Sequence, residues 1–200
     1  MSPRLTQLRP APSLRLIFRA FPFFPESPPT EAGGALHIPR KLQGAGRHDN
    51  PTAYGAFYAS RVPESVIAEH LKTFVGQLVT DDIFVRGDGF RYALAQIDED
   101  RLASLVDLDD PAVLKERTLR PSKVATQERD LTQEIALAIY EEGGDGFEWW
   151  STIEASWINI TLFAERAVPR LDVAEEPEPL TLDHPAVRDA ADALGIRLAE

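Results

Sequence analysis

The segment from Gly46 to Phe74, GRHDNPTAYGAFYASRVPESVIAEHLKTF, decides how the fold of this chain is interpreted. Its first part is rich in Gly, Asn, Asp and Pro and predicts a loop that carries Arg47. The small and aromatic run GAFYAS, residues 55–60, predicts a buried strand that carries Tyr58. A proline then suits the first position of a helix that carries Glu69. The predicted order is therefore a loop arginine, a strand tyrosine and a helix glutamate.

The predicted helix has one apolar face, and Glu69 does not lie on it. The residues that recur at helical spacing are Val66, Ile67, Leu71, Phe74 and Leu78. On a helical wheel, Glu69 falls nearly opposite these side chains. Periodicity alone therefore predicts that Glu69 is a solvated glutamate.

The whole-chain composition predicts one soluble globular domain of the α+β class. A length of 200 residues is enough for a full core, and strands and helices alternate too irregularly for a doubly wound parallel sheet. The chain has no cysteine, and its four histidines show no metal-ligand spacing, so we predict no metal site. The net charge of −11 argues against direct binding to nucleic acid. No apolar run is long enough to span a bilayer, so we expect a cytoplasmic protein without a membrane partner.

The ordered arginine, tyrosine and glutamate resemble those of the RES family, which is named for its arginine, glutamate and serine. The likeness continues in RDLTQEIALAIYEEGGDGFEWWS, where a predicted strand ends at Ser151, and in NITLF. It covers residues 14–165. The family is known as the toxin half of bacterial toxin–antitoxin pairs, its members consume NAD, and its fold is related to the ADP-ribosyltransferases. The resemblance implies a single domain with a mixed or antiparallel sheet core and flanking helices.

We expect three regions along the chain. Residues 1–13 are Pro-rich and predict a poorly ordered N-terminus. Residues 14–168 form the RES-like catalytic domain. Residues 169–200 form an acidic linker and a short helix that packs on the same domain. The first strand carries Arg15 and Arg19 on one face, for which the residues alone also allow a solvated sheet edge.

The resemblance also assigns roles to individual residues. Arg47, together with Arg19, would hold the pyrophosphate of NAD, and Tyr58 would stack on nicotinamide. Glu69 would stabilise positive charge on the ribose, and Ser151 would orient that ribose. NAD is then a substrate rather than a bound cofactor, inorganic phosphate is a candidate co-substrate, and no metal is required.

The residues alone leave a structural alternative for each of these side chains. Arg47 is also interpretable as a surface arginine paired with Asp49, and Tyr58 as an ordinary core tyrosine. Ser151 is also interpretable as a plain strand-end serine, because the Gly-x-Ser-x-Gly pattern of a nucleophile elbow is missing. Thr152, beside Ser151, is a candidate to share the same role.

Three tryptophans depart from the family pattern, which has a single aromatic residue before the serine. Trp149 and Trp150 are adjacent on a strand and must face opposite ways, so they do not both line one pocket. One of these two is a candidate contact for a partner or for a second subunit, and Trp157 is the third departure.

Three functions therefore compete. The first is an NAD-degrading toxin, a glycohydrolase or a phosphorylase, that is neutralised by a helix-turn-helix antitoxin of the Xre type. The second is a protein ADP-ribosyltransferase, and the third is a non-catalytic binding module that retains the fold. The sequence does not choose among water, phosphate and a protein side chain as the acceptor.

Overall fold

The computed structural model describes residues 15–102 and 105–199. Within them the strands are β1 (Leu16–Phe23), β2 (Ala56–Ser60), β3 (Leu78–Val79), β4 (Arg91–Asp98), β5 (Leu105–Asp107), β6 (Gly146–Trp150), β7 (Ile158–Phe163), β8 (Asp172–Val173), β9 (Glu178–Pro179) and β10 (Arg197–Leu198). The α-helices are α1 (Pro63–Leu71), α2 (Pro111–Glu116), α3 (Pro121–Val124), α4 (Arg129–Glu141), α5 (Ala164–Ala167) and α6 (Pro185–Leu194). Short 3-10 helices span Arg40–Leu42, Lys72–Phe74, Asp81–Phe84 and Val168–Arg170. The expectation of a poorly ordered N-terminus concerns residues 1–13, which lie outside the described residues.

The strand that carries Tyr58 lies in the middle of the main sheet. The strand order is β5-β6-β7-β2-β1-β4-β8, and β9 also pairs with β4. These pairs are antiparallel except for β5 and β6, which are parallel. β3 and β10 form a separate parallel pair. The predicted α+β fold with a mixed sheet core is confirmed.

Strand register separates the residues of the sheet into two faces. One face carries Ile17, Phe57 and Ile160, which form a core cluster with Ala35 and Leu36 from the long loop after β1. The opposite face carries Phe18, Ala20, Tyr58 and Trp149. We call this second face the helical face, because α1, α4 and α6 pack on it.

The helices on the helical face form two separate lobes. In the first lobe, α1 and α6 share a core made of Ile67, Ala68, Leu71, Ala186, Val187, Ala190 and Ala191. In the second lobe, α4 packs Ile135, Ala136 and Ile139 against Phe147, Trp149 and Phe163 of the sheet. Between the lobes the sheet is left uncovered, and this gap becomes the candidate site.

Local sequence signals account for the helix ends. α1 begins at Pro63, which occupies the first turn where the missing N–H has no helical partner in any case. The Asp110 side chain caps α2 by accepting a hydrogen bond from the Ala112 N–H. α6 ends at Gly195, whose φ of 64° lies in the left-handed region that glycine tolerates best. No helix among the described residues is long and apolar enough to cross a membrane.

Candidate functional site

A cleft of about 910 Å³ opens on the helical face between the two lobes. Three of the residues predicted from the sequence, Arg47, Tyr58 and Glu69, line it together. The other lining residues come from the sheet, from α1 and from the loops before Arg47, before α4 and after β6. They are Ala20, Ala45, Gly46, Ala59, Val66, Lys72, Thr126, Gln127, Arg129, Trp149, Thr152, Ile153 and Asn159.

Arg47 is held on the cleft wall by the neighbouring loop rather than by a carboxylate. Its Nη1 donates to the backbone oxygens of Thr126 and, at 3.4 Å, Val124. Its guanidinium carbon lies 5.2 Å from the centre of the Trp149 ring, within cation–π range. Burial lowers the pKa of Arg47, and the nearby Glu69 carboxylate partly offsets this effect. The guanidinium is therefore oriented before any ligand arrives.

Asp49 organises the loop instead of pairing with Arg47, so the pairing allowed by the sequence is not formed. Its Oδ2 accepts hydrogen bonds from the N–H groups of Gly44 at 2.8 Å and Gly46 at 2.7 Å. Its Oδ1 accepts from the Tyr58 hydroxyl at 2.8 Å. A Cβ at Gly46 would lie 2.6 Å from Asp49 Oδ1, so the tight approach requires glycine there.

Helix α4 fixes the other side of this loop. The Gln133 side-chain amide donates to the Gly46 oxygen at 2.9 Å, and the Thr132 hydroxyl donates to the Arg47 oxygen. The backbone oxygens of Gly46 and Arg47 are thus both paired with side chains of α4. The backbone of Arg47 is consequently anchored to a regular helix, although the residue itself lies in a loop.

Tyr58 presents its ring to the cleft and turns its hydroxyl into the core. The hydroxyl accepts from the His48 N–H at 2.9 Å and donates to Asp49. Burial, with the nearby Asp49 charge, raises the pKa of Tyr58 far above its ordinary value. Tyr58 therefore belongs to the core and also lines the cleft. Its hydroxyl is fully used in hydrogen bonds that stabilise the fold.

His48 lies buried beneath this wall. Its Nδ1 is 2.8 Å from the Thr161 hydroxyl, which also accepts from Trp149 Nε1 at 3.1 Å. Its ring meets the Phe147 and Trp149 rings edge-on. Burial and the nearby Arg47 charge lower the pKa of His48 well below 6.5. His48 is therefore a neutral structural support at physiological pH.

Glu69 lies on the side of α1 that faces the cleft, one turn from Val66. Its carboxylate forms an ion pair with Lys72, and its side chain is 34% exposed. The apolar face of α1 points into the first lobe, so the opposite face meets the cleft rather than bulk solvent. Glu69 therefore points away from the apolar face of α1, as the helical wheel predicts, and lines the cleft.

Ser151 does not line the cleft. It is 2% exposed, its Oγ accepts from the Ile153 N–H at 3.1 Å, and its own N–H donates to the Trp157 oxygen at 2.7 Å. The residues that it positions, Thr152 and Ile153, do line the cleft. The serine therefore shapes the turn after β6, and Thr152 is the residue that reaches the cleft.

Arg19 points to the opposite face of the sheet. Its guanidinium donates to the oxygens of Ala35 at 2.6 Å and His37 at 2.9 Å, and lies 4.4 Å from the centre of the Phe57 ring. Burial lowers the pKa of Arg19 to about 10. The expectation that Arg19 contacts phosphate beside Arg47 needs correction, because strand alternation in β1 turns Arg19 to the face of the sheet opposite the cleft.

Sequence analysis did not single out Asn159, which lies on the cleft floor. It is 4% exposed, and its Oδ1 accepts from the Ser65 hydroxyl at 2.7 Å. Its Nδ2 has no hydrogen-bond partner among the described residues. An asparagine at the start of the apolar run NITLF was the available signal, since a buried amide needs partners.

Trp149 and Trp150 face opposite sides of the sheet, as strand geometry predicts. Trp149 lines the cleft, whereas Trp150, next to it on β6, does not. Trp157 packs against the first lobe. Of the three tryptophans, Trp149 is thus the one placed to contact a ligand of the cleft.

Comparison with known proteins identifies the family of this chain. The RES domain family model matches residues 17–183, a span that contains Arg47, Tyr58, Glu69 and Ser151. A solved structure of similar fold is the M. tuberculosis MbcT–MbcA toxin–antitoxin complex, with a TM-score of 0.58 and 16% identity over 92% of this chain and 90% of that chain. No curated protein matches the chain. Because the family match covers most of its length, this chain belongs to the RES domain family.

Proposed function

We propose that this protein is a toxin that cleaves the bond between nicotinamide and ribose in NAD. The observation that carries the proposal is the convergence of Arg47, Tyr58 and Glu69 on one cleft beside Trp149. The volume of about 910 Å³ lies in the range of small-molecule sites. Membership of the RES family supports the same substrate, since NAD consumption is what the family resemblance implies.

The cleft offers complementary groups for the two kinds of chemistry in a dinucleotide. The Tyr58 ring is a flat apolar wall suited to stacking on a planar heterocycle such as nicotinamide. Arg47 supplies a guanidinium whose remaining donors suit phosphate or ribose oxygens. The free Nδ2 of Asn159 supplies a further donor for an oxygen of the ligand.

Glu69 is the group assigned to the chemical step. The bond between ribose C1′ and the nicotinamide nitrogen breaks, and its electron pair leaves with nicotinamide, which departs as a neutral molecule. Positive charge then develops on the ribose, where the Glu69 carboxylate stabilises it. An oxygen of water or of inorganic phosphate bonds to C1′, and in the case of water a proton passes to solvent.

The remaining residues act by position. The Tyr58 hydroxyl is already hydrogen-bonded to Asp49 and His48, so we assign it no proton transfer. Ser151 holds the turn that presents Thr152 to the cleft. We therefore assign the ribose contact that was expected of Ser151 to Thr152. No step in this scheme needs a covalent intermediate with the protein.

Incubation of the purified chain with NAD tests the proposal. Free nicotinamide, followed by liquid chromatography, should appear at a rate that depends on Glu69. Free ADP-ribose would identify a glycohydrolase, and ADP-ribose 1″-phosphate formed only with added phosphate would identify a phosphorylase. With labelled NAD, transfer of the label to protein would instead identify an ADP-ribosyltransferase. If NAD stays intact, the remaining interpretation is a non-catalytic binding module.

We also propose a cognate antitoxin. The solved complex of similar fold is a toxin with its antitoxin, and an enzyme that destroys cellular NAD requires control. The family resemblance implies a partner that carries a helix-turn-helix DNA-binding region. This chain, at a net charge of −11, is poorly suited to bind DNA by itself. Expression of this chain alone should stop host growth, and co-expression with an adjacent small reading frame should restore it. Harmless expression with unchanged NAD levels would contradict the toxin assignment.

A further inference from the structure

Arg129, at the first position of α4, is a cleft residue to which neither the family pattern nor the sequence analysis assigns a role. It lies on the same cleft wall as Arg47, close enough that its charge lowers the pKa of Arg47. The Arg47 side chain donates to backbone oxygens, whereas the Arg129 side chain makes no hydrogen bond or ion pair within residues 15–102 and 105–199. Two guanidinium groups therefore line one cavity.

The charge of the cleft contrasts with the charge of the chain. Its lining includes three cations, Arg47, Lys72 and Arg129, and one carboxylate, Glu69. Lys72 is paired with Glu69, so the two arginines retain an unbalanced positive charge. In a protein of net charge −11, such a concentration of positive charge in a concave site favours an anionic ligand.

The start of α4 adds to this preference. The helix spans 13 residues, and its N-cap residue, Glu128, makes no side-chain capping hydrogen bond. The first N–H groups of a helix have no intrahelical partners and carry a partial positive charge. A second unsatisfied donor, the buried Nδ2 of Asn159, lies on the floor of the same cleft.

We propose that Arg129 and Arg47 form a phosphate clamp across the rim of the cleft. The ligand is a phosphate group, either within the pyrophosphate of a dinucleotide or as free orthophosphate. Arg129 thereby takes the phosphate-binding role that the family resemblance had assigned to Arg19. The identification of the dinucleotide as NAD rests on the proposed function. The binding of a phosphate group by the two arginines does not depend on it.

Isothermal titration calorimetry of the full chain tests the clamp without relying on turnover. The probes are ADP-ribose, pyrophosphate and orthophosphate at constant ionic strength. Arg129→Gln should weaken the binding of at least one probe about tenfold, which corresponds to the loss of roughly 1.4 kcal/mol. The matched control is Arg120→Gln, which removes an exposed arginine directly before α3. Arg120 lies outside the cleft, and its side chain has no partner among the described residues. The control should change each affinity by less than about twofold.

The pattern of losses identifies the source of the phosphate. Weaker binding of ADP-ribose and pyrophosphate alone would place the pyrophosphate of the dinucleotide in the clamp, and weaker binding of orthophosphate alone would place a free co-substrate there. The proposal is overturned if no probe binds the parent, or if Arg129→Gln binds every probe as Arg120→Gln does.

The same experiment separates this inference from the proposed function. If NAD stays intact but Arg129→Gln selectively loses phosphate binding, the NAD assignment fails and the clamp stands. If NAD is cleaved and Arg129→Gln binds all probes as the parent does, the clamp alone fails. Thermal unfolding of both variants should match the parent, because both side chains are exposed.

Discussion

The two walls of the cleft are built in different ways. The wall that carries Arg47 and Tyr58, which we call the loop wall, consists of residues 44–50 packed on β2 and α4. Its side chains and backbone are joined by a continuous set of hydrogen bonds centred on Asp49. The facing helix wall presents Glu69 from α1, and its polar contact there is an ion pair with Lys72 at a partly exposed position.

This difference assigns ligand binding to the loop wall and the chemical step to the helix wall. The loop wall orients a guanidinium and an aromatic ring in advance, so little conformational entropy is lost when a ligand binds. On the helix wall, the Glu69 carboxylate can leave Lys72 and interact with positive charge that develops on the ribose. This change costs little, because an exposed ion pair contributes little to stability. Substitutions on the loop wall should therefore affect folding and binding together, whereas substitutions of Glu69 should affect turnover alone.

The largest effect is expected for Glu69→Gln. The amide keeps the shape of the side chain but cannot stabilise positive charge on the ribose, so kcat should fall about a hundredfold or more, roughly 2.7 kcal/mol. KM and the melting temperature should stay near the parent values, since this group acts mainly in the transition state. Steady-state release of nicotinamide measures the change.

Glu64→Gln is the matched control for that substitution. Glu64 lies in the first turn of the same helix and does not line the cleft. Its turnover should equal that of the parent. Parent-like turnover in Glu69→Gln as well would remove Glu69 from the site.

Acid should weaken the loop wall through His48. The folded protein holds this histidine neutral, with its pKa well below 6.5, whereas the unfolded chain takes up a proton as the pH falls through 6.5. The stability associated with neutral His48 is therefore complete above that pH and is lost below it, by up to about 1.4 kcal/mol per pH unit. Urea unfolding at about pH 7 and about pH 5.5 should show this loss.

His48→Gln should flatten the pH dependence, because an amide does not titrate in this range. His37→Gln changes a histidine outside the cleft and should keep the parental slope. Equal slopes in all three proteins would show that His48 does not carry the effect.

Arg47→Lys tests the geometry of the loop wall at constant charge. A lysine cannot reproduce the planar fork of donors or its stacking on Trp149, so kcat/KM should fall about tenfold or more, roughly 1.4 kcal/mol. Arg19→Lys makes the same change on the other face of the sheet and should lower the melting temperature while leaving kcat/KM unchanged. The reverse pattern would reinstate Arg19 as the phosphate contact.

The smallest effect is expected for Tyr58→Phe. The ring remains, so turnover should stay within about threefold of the parent, while the loss of the hydroxyl leaves Asp49 and the His48 N–H each without one partner. The free energy of unfolding should fall by about 1 kcal/mol. If turnover were abolished with stability intact, the hydroxyl would have a chemical role and the separation between the walls would be wrong.

Much of the local structure was predictable from the sequence because its causes are local. Pro63 starts α1 and Gly195 ends α6, since backbone restriction and freedom are properties of single residues. The strand around Tyr58 follows from its small and aromatic composition. The order of Arg47, Tyr58 and Glu69 also follows directly from the chain, and the resemblance built on that order is confirmed by the family match.

The composition of the site was only partly predictable. Arg47, Tyr58 and Glu69 meet in the cleft, but Asn159, Arg129 and Trp149 join them from segments far along the chain. Nothing local marks these residues as neighbours. The positions of Asn159 and Trp149 depend on the pairing of β2 with β7 and of β7 with β6, and that of Arg129 depends on the packing of α4 on the sheet. Ser151 was predicted as the last residue of its strand and lies directly after β6, whereas the burial of its hydroxyl depends on the turn that follows.

Two residues show what the tertiary structure alone decided. Strand alternation places Arg19 on the same face as Ile17, but only the packing of the lobes determines that the cleft lies on the other face. The helical wheel correctly turns Glu69 away from the apolar core, but only the gap between the lobes makes that direction a cleft instead of open water. The sequence by itself determines which way a side chain points relative to its own helix or strand, because that depends on local backbone geometry. What the side chain meets depends on long-range packing, which only the folded structure decides.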